Sequence, residues 1–335
     1  MLLRTNDPAA QRSVLAFAHQ QAETARSLYE VLGEALYSAR DTGSRVAAFT
    51  TTFEGAEDWR YKAASASPHS TGRYSPRWAE RFRTPVTDDN PNLFRIGDHD
   101  RFREGATWDP ATHTYRGGAE TPASRTMREF EAIAAARFPR APSTDVMSNH
   151  VTLPDGRATD GTRLLRGNAA HQAAAEIAAR ISARGGDISR ITTDGHLIYT
   201  ASAPGTHRRT IFYQAMALLA RDHTTPTDAL TAWLQAAYLL YQAPRKKRGA
   251  DATIRTFLIA AGAQLLPRPP LLLHDIDLRA YTQTQDLFVS ELLATQSIAK
   301  TLPGNGPDPH ARSNRANIPA RARLHRSTGT RPYGS

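Results

Sequence analysis

The chain has no cysteine, which excludes disulfide scaffolds, thiolate nucleophiles and cysteine-ligated zinc. No run approaches the roughly 20 apolar residues that a membrane span needs, and the longest are broken by Arg, Gln or Pro. The opening MLLRTNDPAAQR lacks the apolar core of a secretory signal, so a cytoplasmic protein with no membrane contact is expected. Walker A, Rossmann glycine, Gly-x-Ser-x-Gly and His-Glu-x-x-His patterns are all missing, which argues against kinase, dehydrogenase, serine-hydrolase and zincin chemistry. Lysine is scarce too. Of 42 basic residues only Lys62, Lys246, Lys247 and Lys300 are lysines, so two of the four stand side by side.

What is present is a chain of 335 residues, 40% apolar, with a net charge of +10. Half of that excess lies in residues 301–335. There Arg312, Arg315, Arg321, Arg323, Arg326 and Arg331 face the single acid Asp308 among Pro, Gly and Ser. This composition predicts a disordered basic tail, since it cannot bury enough surface to offset its ordering entropy. Such a tail gives the chain a possible nucleic-acid partner.

Helical spacing dominates the remainder. Val14, Ala18, Gln21, Ala25, Leu28, Leu32 and Ala35 mark a helix over 8–39. Residues 51–120 hold three of the four tryptophans and several Phe and Tyr without a period; they read as a loop-rich aromatic insertion, either covering a ligand or forming a small core of its own. A helix over 124–138 is expected to be capped by Thr126 with Glu129. A loop over 140–167 turns at Pro154-Asp-Gly156, and a helix capped by Asn168 covers 168–184. A β-hairpin is expected over 188–202, turning at Asp194-Gly195. Helices then follow at about 208–222, 227–242, 250–266 and 276–299. The expected fold is mainly α: a helical bundle core with one β-hairpin and a loop-rich aromatic N-terminal insertion. Its domains are 1–120, a helical core over 121–300, and the tail over 301–335.

The connection Gln242-Ala-Pro-Arg-Lys-Lys-Arg-Gly-Ala-Asp251 joins two core helices. Four consecutive cations and a glycine precede a helix N-terminus, whose unpaired N–H groups and dipole favour an anion. Lys246, Lys247, Arg248 and Gly249, with Arg255 one turn on, are the expected phosphate-binding residues; a solvated basic turn is the plainer alternative. In LLLHDIDLRAY, His274, Asp275 and Asp277 offer acid–base groups or part of a His/Asp metal site, and His274 and Asp275 are the expected catalytic pair. The adjacent His-Asp is similar to that of the HD phosphohydrolases, with His223 and Asp286 as the possible partners.

The order hairpin, helix, helix, anion loop, helix over roughly 165–265 resembles the Fic fold, whose signature is H-P-F-x-[DE]-G-N-G-R-x-x-R. Gly249 falls on its first glycine and Arg255 on its last arginine, while Ala250, Asp251 and Ala252 replace the residues between. Pro244 stands at the family's histidine base and Arg248 at its metal-binding acid. The resemblance implies a transferase or lyase of the divergent, AvrB-like kind, acting without the usual base on a phosphorylated or nucleotide-derived small molecule. No cofactor is expected, and binding is expected to be metal-independent. A basic nucleic-acid or protein-binding module is the alternative function, and an HD-type phosphohydrolase the second.

Overall fold

A computed structural model describes residues 4–67, 75–139, 144–193 and 195–301. The chain divides into a compact unit over 1–299 and a second over 300–335. The expected basic tail and Asp194 lie outside the described residues.

The architecture is mainly helical with a small antiparallel sheet. Helices α1 (Pro8–Ser38), α2 (Thr42–Ser65) and α3 (Ser75–Glu80) precede strand β1 (Leu93–Ile96) and a two-stranded ribbon, β2 (Thr107–Asp109) and β3 (Thr114–Arg116). Then come α4 (Pro122–Arg137), β4 (Val146–Thr152), β5 (Ala158–Leu165), α5 (Gly167–Ser182) and β6 (Ile198–Ala201). Five helices complete the series: α6 (Gly205–Ala220), α7 (Pro226–Gln242), α8 (Ala250–Leu265), α9 (Ile276–Thr282) and α10 (Gln285–Thr301). None of the described helices is long and apolar enough to cross a membrane.

The main core lies among α2, α6, α7, α8 and α10. Phe49 and Phe53 of α2 meet Phe257 edge-on, and the buried Trp233 donates from Nε1 to the Leu258 carbonyl at 3.0 Å. Leu32 of α1 is buried in the same cluster, so helices from the first 120 residues share a core with those around the anion loop. Residues 51–65, expected to be irregular, continue α2. Asp41 caps that helix through Ser44, and Phe49, Phe53 and Ala56 keep the helical spacing across the expected boundary.

The sheet runs β1-β6-β5-β4. Ile198 and Leu164 face α4, whereas Tyr199 and Leu165 face α5, as strand alternation requires. The hairpin is displaced from its expected place. Pro154-Asp-Gly156 turns β4 into β5, with Gly156 N–H donating to Leu153 O, while residues 188–193 form no strand and β6 pairs with β1 and β5. A buried central strand finds its partners by tertiary packing, and a local turn signal does not report that. Three local expectations also change. Thr121 with Ser124 caps α4, Arg166 without a side-chain bond begins α5, and the expected last helix is broken at 283–284 into α9 and α10.

Candidate functional site

The loop between α7 and α8 is held by backbone pairing with residues 84–86 and by the Asn92 side chain. Val86 N–H donates to Arg245 O and Lys247 N–H to Thr84 O, each at 2.9 Å, and Asn92 Nδ2 donates to Lys246 O at 3.0 Å. Gly249 ends the loop at φ +79°, and a Cβ there would stand 2.8 Å from both Phe82 and Arg60. That left-handed backbone and close approach explain the glycine, whose missing Cβ leaves room for Phe82 and Arg60.

The loop forms one wall of an open cavity of about 800 Å3. Gly249 and Ala250 on its wall bring the N-terminal end of α8 to it. Ten cations line it: Arg4, Arg81, Arg95, Arg101, Arg180, Arg184, Arg190, Lys246, Lys247 and Arg248, against the three acids Asp98, Asp187 and Asp277. Some of this charge is compensated within the protein. Arg95 lies 3.3 Å and Arg101 3.8 Å from Asp98, Arg180 pairs with Glu176, and Lys246 Nζ lies 3.5 Å from the buried Glu57. Arg81, Arg184 and Arg248 have no acidic partner among the described residues.

Those charges repel one another. Burial, followed by Arg248, Arg184 and Arg180, lowers the Arg81 pKa to about 10. Burial, then Arg180 and Arg81, lowers Lys247 to about 8. Burial and Arg248 lower Arg60 to about 10, and the Arg60 guanidinium stacks 4.2 Å from the Phe82 ring centroid. Burial, Arg101 and Arg248 likewise lower Arg4. Arg248 is thus the neighbour common to Arg81, Arg60 and Arg4. Lys247 Nζ donates to the carbonyls of Asn90 at 2.9 Å and Pro91 at 2.6 Å, which fixes it in the wall. An ammonium has three N–H donors, so one remains for a ligand.

Of the residues expected to bind phosphate, Lys246, Lys247, Arg248 and Gly249 line the cavity together and Arg255 does not. Arg255 is buried, donating to Asp251 Oδ1 at 2.7 Å, Leu273 O at 2.6 Å and His274 O at 2.8 Å. Burial opposes its charge, but Tyr241, Asp251 and Asp277 outweigh that and raise its pKa. It joins α8 to the segment before α9.

The two residues expected to be catalytic also lie off the cavity wall. His274 is exposed, and the buried Asp275 accepts from Arg279 Nε at 3.1 Å. With Asp275 at the start of α9, Asp277 is turned to the other side, and it lines the cavity with Tyr281, one helical turn further on. Its side chain is 25% exposed. Burial, then the Asp251 carboxylate, pushes its pKa up to about 7 against the pull of Arg255. The i, i+4 spacing of Asp277 and Tyr281 signals this shared face, but which face of α9 meets the cavity depends on tertiary packing. Among the described residues no group of three or more His, Asp or Glu side chains is placed to hold a metal, so His274, Asp275, His223 and Asp286 do not assemble an HD-type centre. Of the aromatic insertion, Phe94, Phe102 and Tyr115 reach the cavity, while Phe53 belongs to the main core and Trp78 packs on Phe82.

No protein-family model matches the chain, and no curated protein is significantly similar to it in sequence.

Proposed function

We propose that the protein binds a multiply phosphorylated small molecule, nucleotide-derived in the simplest case, against the Arg81–Arg184–Lys247–Arg248 wall of this cavity. The observation that carries the reading is the set of cations crowded near Arg248 in a concave site, with no acidic partner for Arg81, Arg184 or Arg248 among the described residues. Like charges held together and partly desolvated raise the free energy of the empty protein, and a polyanion placed among them removes that cost. The N-terminal end of α8 adds its dipole in the same sense. A volume of about 800 Å3 falls within the roughly 300–1,000 Å3 of small-molecule sites, which favours a compact ligand over a nucleic-acid strand. Phe94, Phe102, Tyr115 and Tyr199 on the remaining wall supply faces for a planar or ring-bearing remainder. On this reading the phosphate is met by side-chain cations without a metal. A transferase or lyase of the kind implied by the Fic resemblance would act here, where Asp277 is one of the three carboxyls on the cavity wall.

The test is a thermal-shift panel of inorganic pyrophosphate, nucleoside mono-, di- and triphosphates, and a mixed-sequence oligonucleotide. Ligands that bind only the folded state raise its Tm. The expected result is stabilisation that increases with phosphate number among the small molecules. Stabilisation by the oligonucleotide alone would replace this reading with the nucleic-acid one.

A further inference from the structure

Asp277 occupies an unusual position for a carboxylate near so many cations. Its closest cation is Arg255, with Nη2 at 4.0 Å, and that nitrogen already donates to His274 O. The other carboxylate of the cluster, Asp251, takes the short contacts instead, accepting from Arg255 Nε at 2.7 Å and from Tyr241 OH at 2.9 Å. Asp277 is three-quarters buried, adjacent to a carboxylate already satisfied, and accepts from the Leu278 backbone N–H but from no described side chain within hydrogen-bond distance. The groups that face it are Asp251 and Arg255 from α8, Tyr241 from α7 and Tyr281 from its own helix. The two tyrosines are held neutral, since burial raises both. A carboxyl so placed is divided between its two forms by small changes in local charge.

We propose that anion binding in this cavity is coupled to protonation, and that Asp277 is the group that takes up the proton. The proposal rests on the phosphate-binding reading above. A phosphate against Gly249, Ala250 and the neighbouring cations shares the cavity with Asp277, and a second negative charge there opposes its ionised form. Binding therefore draws one proton from solvent onto an Asp277 oxygen. By linkage, affinity for the anion falls as the pH rises through the neutral range. The protonated carboxyl is also a donor aimed at the bound anion, which an ionised aspartate is not.

The experiment is a carbon-13 NMR titration of side-chain carboxyls in the aspartate-labelled full chain, with and without inorganic pyrophosphate. Asp277→Asn identifies the resonance, and Asp277→Glu serves where the amide variant does not fold. The expected result is one carboxyl titrating near neutral pH and moving up by at least one unit when pyrophosphate is bound. In parallel, the pyrophosphate affinity of Asp277→Asn should change less between pH 6 and 8 than that of the wild type. Pyrophosphate binding with Asp277 in the ordinary carboxylate range, or with its titration unmoved, overturns the coupling and leaves the binding site standing. Failure of pyrophosphate to perturb any cavity resonance removes the site and the coupling together.

Discussion

Lys247 shows how the site is built. Its ammonium is half-buried, tied to two carbonyls and surrounded by Arg81, Arg180 and Arg184. Its pKa in the folded protein is near 8, below the ordinary 10.5, so the unfolded chain binds its proton more tightly. Between those two values the unfolded state carries more protons than the folded one, and stability rises with pH. Denaturant unfolding at a series of pH values from 7.5 to 10.5 should show this increase, and Lys247→Met should lose it. Gly249 makes a different point. Its φ of +79° and the Phe82 ring 2.8 Å from a built Cβ predict that Gly249→Ala costs at least the roughly 1–2 kcal/mol of a left-handed alanine, read as a lower urea midpoint.

At the scale of elements, the cavity depends on how α8 and α9 are joined. Arg255 binds Asp251 on its own helix and two carbonyls before α9, so it holds the cavity's frame without lining the cavity itself. Removing one partner of a buried ion pair leaves the other uncompensated, at a cost of about 3–5 kcal/mol. Arg255→Met should lower stability by that amount in equilibrium unfolding. An unchanged midpoint would mean that the joint is not held by this residue.

The same elements show what was legible in advance. Helices with a regular apolar stripe, such as α7 and α8, appear in the sequence nearly to their ends, because burial of that stripe decides them. The cations of the 245–248 loop were legible from lysine scarcity and the glycine before a helix. Arg81 and Arg184 were not distinguished, and Asp277 was named only alongside His274 and Asp275, since their meeting depends on how α3, α5 and α9 approach one another. Arg255 stands where the spacing puts it on α8 but off the cavity wall, because spacing gives its height on the helix and not what lies opposite. The hairpin was displaced for a similar reason. A turn signal marks where the chain can reverse, and only the sheet's packing between α4 and α5 decides which strands pair.

For the whole molecule, the net charge of +10 has two sources, the cavity wall and the basic segment beyond residue 301. Their contributions are separable. Removing residues 302–335 should leave pyrophosphate affinity largely unchanged if the anion site is the cavity lined by Arg81, Lys247 and Arg248. A large loss on truncation would assign the anion site to the C-terminal segment. Generic oligonucleotide affinity, by contrast, should fall with both truncation and added salt if the tail contacts phosphates.

The central claim is that the cations gathered near Arg248, of which Arg81, Arg184 and Arg248 itself have no acidic partner among the described residues, make the cavity an anion site. Its most direct test is calorimetric titration of inorganic pyrophosphate into the wild type and into Arg81→Gln/Arg248→Gln at neutral pH. A charge-assisted hydrogen bond contributes about 1.5–3 kcal/mol, so the double variant should bind at least about tenfold more weakly, with a Tm no lower than that of the wild type because repulsion has been relieved. Equal affinity in the two proteins would contradict the account.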